Sequence, residues 1–158
     1  MTASNHVLTG ATIAVAAQDP WVVVPAALAS HFVLDAIPHF GVYSHDAKLR
    51  NQSLLFRYVV LMDVLITAAL LIFLPLVLSP FMHWWVVLLG MVFAFLPDAV
   101  WVKSYIRDEV KDRYQVAKHW VTIMHKRIQL FEKPIGIVVE LVWFFGMSVI
   151  LSLLVTGL

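Results

Sequence analysis

The stretch LFRYVVLMDVLITAALLIFLPLVL, Leu55 to Leu78, decides the fold. As a helix rising about 1.5 Å per residue it is long enough for a hydrocarbon core about 30 Å thick. Only Arg57, near its start, and Asp63, within it, carry charge. It reads as a transmembrane span in which Pro75 is tolerated. Ser79-Pro80 turns the chain, and Phe81 to Trp101 returns, opened by His83-Trp84-Trp85 at the interface and closed by Leu96-Pro97-Asp98. The two runs make a hairpin.

The rest of the chain agrees with that reading. Of its 158 residues, 61% are hydrophobic and 13% charged, and the mean hydropathy is +0.87. Soluble domains need a larger polar surface, so the expected class is an all-α integral membrane protein. There is no length for a separate soluble domain. A net charge of +1 argues against a nucleic-acid partner. The absence of cysteine excludes disulfides, thiolate nucleophiles and sulfur metal sites, and leaves nitrogen and oxygen ligands.

Upstream, Met1 to Asn5 is uncharged and lacks the basic region of a cleaved signal, so the N-terminus is read as mature. Thr2 or Ser4, with Asn5, offers local capping for a helix over about 6–17, stopped by Gln18-Asp19-Pro20. That helix is short for a span and is read as a short crossing or a re-entrant segment. A second apolar run covers 21–37, with Trp21 as an interfacial anchor, and residues 40–52 form a polar loop. Downstream, Lys103 to Lys133 holds eight of the eleven basic residues and reads, over 104–132, as an amphipathic surface helix. Pro134 then opens the last span, about 135–156. The architecture expected is a compact bundle of four to five transmembrane or re-entrant helices plus one cytoplasmic amphipathic surface helix. The whole chain forms one domain.

Orientation follows from the basic residues. The loop with Lys48, Arg50 and Arg57 and the segment from Lys103 to Lys133 belong on the cytoplasmic side, and the Ser79-Pro80 turn on the other. The chain is expected to be multi-pass with a cytoplasmic N-terminus.

In this topology the polar residues of the spans fall at one depth. His31 and Asp35, four apart, share a helix face, and His39 continues the stripe if Pro38 does not divert it. Asp35 lies roughly 6 Å and His31 roughly 12 Å below His39, Asp63 roughly 9 to 12 Å below its end of the span, Asp98 roughly 7 Å from Lys103, and Glu140 roughly 9 Å from Pro134. His6 tops the layer, and His125 on the surface helix can hang over it. Singly, each has an ordinary reading: Asp63 as a protonated packing residue, Asp98 as a cap after a kink, Glu140 as a partner for a histidine. Together they are harder to explain, because an intramembrane carboxylate costs about 2.5 kcal/mol or more. With no lysine or arginine at these positions, protons, histidines or metal cations must balance the acids.

No G-x-x-x-x-G-K-[ST], G-x-S-x-G or H-E-x-x-H is present, which removes support for nucleotide hydrolysis, common serine hydrolases and zincin proteases. The early His6 before a small-residue helix, Ser30-His31 with Asp35 and Pro38-His39, and Leu96-Pro97-Asp98 together resemble bacterial and archaeal inner-membrane proteins described as membrane-bound metal-dependent hydrolases. In that family a Pro-Asp-x-Asp element is typical; here Pro97-Asp98 lacks the second aspartate. The resemblance covers mainly the first hundred residues, and it implies metal and hydrolysis without naming a substrate.

The leading expectation is a metal-dependent hydrolase acting on a lipid or lipid-linked ester or phosphoester near the cytoplasmic leaflet. His6, His31, Asp35 and Asp98 are its metal ligands, and His39 and His125 are further candidates. Glu140 or Asp63 is the proton acceptor. Zinc comes first as the divalent ion, with manganese or iron also suited to such ligands. A proton or divalent-metal transporter and a non-catalytic membrane scaffold remain as alternatives.

Overall fold

The computed structural model describes residues 1–41, 53–111 and 133–157, with side chains from 100 to 111 outside the description. The described residues form five helices and no strand: α1 (Ala3–Ala17), α2 (Pro20–Asp35), α3 (Leu54–Leu78), α4 (Trp84–Lys111) and α5 (Gly136–Thr156). The Lys48 loop, His125 and most of the expected amphipathic segment lie outside the described residues.

Most helix ends follow local chemistry. Gln18 closes α1 in the left-handed region at φ 55°, its N–H on the Ala14 carbonyl. Asp19 caps α2 through the Trp21 N–H, with Pro20 in the first position, where a missing donor costs nothing. Ser53 caps α3 through Phe56. The beginning of α1 is different. It starts three residues earlier than expected, and Thr2 makes no side-chain cap to its own helix.

Two further boundaries depart from expectation. α2 stops at Asp35, because Pro38 disfavours helical geometry in the residue before it, and His39 leaves the stripe. Its backbone instead pairs with the start of the α5 segment: Lys133 N–H donates to the His39 carbonyl at 3.1 Å. α4 runs unbroken to Lys111 instead of ending near Trp101, since no proline or glycine follows Pro97 to stop it.

α1 is the axis of the bundle. It packs against all four other helices, most extensively α4, and eleven of its fifteen residues are buried. Val7, Leu8, Ala11 and Val15 meet Leu78 of α3, Val87 and Met91 of α4 and Leu151 of α5 in the main apolar core. The α1–α4 crossing is a backbone contact: a Cβ on Gly10 would overlap the Gly90 carbonyl and stand 2.9 Å from the Ala94 Cβ. Small residues permit such approach where apolar surroundings give helices no hydrophobic drive to associate.

The outer helices face the other way. α3 and α5 are long and apolar enough to cross a membrane, and most of each stands outside the buried core. Leu65, Phe73, Val142 and Phe145 are exposed on them.

Candidate metal centre

Antiparallel running of successive helices collects the polar residues at one end. α1 begins there with His6, α2 ends there with His31 and Asp35, and α4 reaches the same level at Asp98 after about 21 Å of rise from Trp84. His6 and His31 stack with ring centroids 4.2 Å apart. Both are fully buried, as is Asp35, and Asp98 is 15% exposed.

The Asp35 carboxylate spans the two rings: Oδ1 is 3.2 Å from His6 Nε2 and Oδ2 is 3.2 Å from His31 Nε2. Asp98 faces the same nitrogens, at 3.8 Å from His6 and 3.9 Å from His31. The Met1 α-amino nitrogen lies 2.6 Å from Asp35 Oδ1.

His31 explains why this cluster wants a cation. Its Nδ1 is 2.9 Å from the Ala94 carbonyl oxygen, which can only accept, so Nδ1 carries a proton. In the neutral ring Nε2 then holds a lone pair, and that pair faces carboxylate oxygen. Such a contact is favourable with a proton between the groups, on the ring or on the carboxyl, or with a metal ion between them. For His6, Nδ1 has no hydrogen-bond partner among the described residues, while Nε2 lies 3.2 Å from Asp35 Oδ1, where a proton on that nitrogen would be donated to the carboxylate.

The donor set fits a metal. His6, His31 and Asp98 each present one ligand atom, all within 4.8 Å of one another, and can hold a metal ion. Ligand bonds of about 2.0–2.2 Å in a tetrahedral site put donors roughly 3.3–3.6 Å apart, so the widest pair must close by roughly 1.2–1.5 Å around one ion. A ligating histidine with its other nitrogen on a backbone carbonyl is the usual arrangement.

Of the six residues expected as ligands, the structure brings four together: His6, His31, Asp35 and Asp98. His39 is buried with Nδ1 2.7 Å from the Ile37 carbonyl, in the turn beyond α2. His125 lies outside the described residues. Asp63 and Glu140 are engaged with the start of α1. Asp63 accepts from the backbone N–H of Ala3 at 2.8 Å and of Ser4 at 2.9 Å. Glu140 accepts from the backbone N–H of Thr2 at 3.0 Å, its hydroxyl, the Asn5 side-chain amide at 2.7 Å and the Phe40 N–H at 3.3 Å. Local capping by Thr2 or Ser4 is thus replaced by two acids from other helices. The clue in the sequence is a pair of buried acids with no basic partner, which must find donors somewhere.

No family model, curated protein or solved structure matches the chain.

Proposed function

We propose that the chain is a multi-pass membrane protein of the inner membrane that holds a divalent ion, zinc foremost, and hydrolyses a lipid or lipid-linked ester or phosphoester near the cytoplasmic leaflet. One observation carries this reading: two imidazole nitrogens and two carboxylates, from three helices, converge in a buried cluster at one end of the bundle. Membrane insertion is supported by the apolar outer faces of α3 and α5. Exposed Trp21 and Trp84 start α2 and α4 at the end away from the cluster, where an aromatic belt would lie. The resemblance to membrane-bound metal-dependent hydrolases points the same way.

His6, His31 and Asp98 would hold the ion. When bound, it supplies Lewis acidity to the scissile group and makes water a nucleophile near neutral pH. The chain does the rest. The Ala94 carbonyl orients the His31 ring, and Val7, next to His6 in α1, belongs to the main apolar core. Asp35, within 3.2 Å of both rings and paired with the Met1 α-amino group at 2.6 Å, orients the two rings from beside the ligand set. The partly exposed Asp98 marks the side from which a substrate approaches.

The test is metal content and turnover together. Detergent-purified protein, prepared without chelator, should carry stoichiometric zinc, lose it in His31→Ala and Asp98→Ala, and hydrolyse members of a panel of lipid esters and phosphoesters only when loaded. Folded wild type that takes up no zinc, manganese or iron when resupplied would end the reading.

A further inference from the structure

The first N–H groups of a helix have no partner within it. In α1 those of Thr2, Ala3 and Ser4 are satisfied by Glu140 and Asp63, acids carried by α5 and α3. The positive end of the helix dipole favours carboxyl acceptors at this place. Glu140 does more than cap. Its carboxylate holds Asn5, the residue before His6, and also the Phe40 N–H beyond the end of α2. The Asn5 amide binds the Glu140 backbone carbonyl as well, at 3.1 Å. One side chain therefore ties the helix that carries His6 to the segment that follows Asp35.

His6 stands two residues beyond Ser4, less than one turn, so the anchored end transmits its position without slack. A slip of one residue would move the ring about 1.5 Å along the axis and about 100° around it. Sites of this kind tolerate about 0.5 Å. We propose that Asp63 and Glu140 are positioning residues: they lock the register of α1 from two neighbouring helices and thereby set His6 against Asp35 and Asp98. The consequence for metal rests on the reading of the cluster given above.

Two measurements on the full chain in detergent micelles test this. The first uses no metal. Asp63→Ala and Glu140→Ala should speed amide exchange at Thr2 to Ser4 at least about tenfold and shift the His6 ring resonances, identified by their loss in His6→Gln. The second uses cobalt(II) alone as probe. Both variants should bind it about 10- to 100-fold more weakly, as expected for loss of groups that orient a ligand, with an altered ligand-field spectrum. Asp63→Asn, which keeps an acceptor oxygen, should recover part of the affinity, and it serves where alanine prevents folding. Unchanged exchange at Thr2 to Ser4, or accelerated exchange with wild-type His6 resonances, would overturn the proposal. Variants that bind cobalt as tightly and with the same spectrum as wild type would overturn it too. If wild type binds no cobalt while exchange and the His6 resonances respond as stated, the positioning role stands and the metal reading falls.

Discussion

Gly10 and Gly90 meet backbone to backbone where α1 crosses α4, and neither has room for a side chain. The same two helices carry His6 and Asp98, so the closeness of the crossing sets the width of the polar cluster above it. Gly10→Ala forces the helices apart. The expected cost is about 1–3 kcal/mol or more, the range for overpacking a filled interior. Gly146, on the exposed face of α5, has nothing within 4 Å of an added Cβ. Gly146→Ala should be neutral or stabilising by up to about 1 kcal/mol, because alanine is the better helix former. Thermal unfolding of both variants in detergent measures the contrast.

Cysteine labelling tests the arrangement across the bilayer with no background, since the chain has no cysteine. Ser79 closes α3 at the end away from the polar cluster, and Lys133 pairs with His39 near it. A membrane-impermeant maleimide should reach Ser79→Cys and Lys133→Cys from opposite faces of sealed vesicles, Lys133→Cys from the cytoplasmic one. Labelling of both from one face would separate the bundle axis from the membrane normal.

The helices were legible because long apolar runs and proline-bearing turns are local signals, and four cluster residues were legible because helical rise places His6, His31, Asp35 and Asp98 at one depth. What that reasoning cannot supply is rotation about each helix axis. Depth alone put Asp63 and Glu140 in the same layer, yet they turn toward the start of α1, 59 and 138 residues away in sequence from Ser4 and Thr2. Partners so remote leave no local motif. The Gly10–Gly90 contact is hidden for the same reason, and the end of α2 was open because Pro38 can either kink a helix or stop one.

Polar bonds inside the bundle are expected to contribute less than its packing. Trp143 Nε1 donates to the Thr9 hydroxyl at 3.0 Å, joining α5 to α1. Thr9→Val keeps the shape and removes the acceptor. Interhelical hydrogen bonds of this kind average about 0.6 kcal/mol and reach about 1.7 kcal/mol, so the variant should lose less stability than Gly10→Ala in the same unfolding assay. A larger loss would mean that the α1–α5 indole contact contributes more to the bundle than the α1–α4 glycine crossing.

Acidity gives a signed test of the histidine ligands. A ring that binds metal must present a lone pair, and His31 already keeps its Nδ1 proton on the Ala94 carbonyl, so only its Nε2 is open to either a proton or an ion. Protons and metal therefore compete for His6 and His31, and acidification cannot strengthen binding. The competition has one sign: in cobalt titrations of wild type from pH 8 to pH 5.5, affinity should hold or fall as acid is added and should never rise. His6→Gln should bind cobalt more weakly at every pH in that range. Affinity that rises with acid, or that is unchanged in His6→Gln, would remove His6 from the donor set.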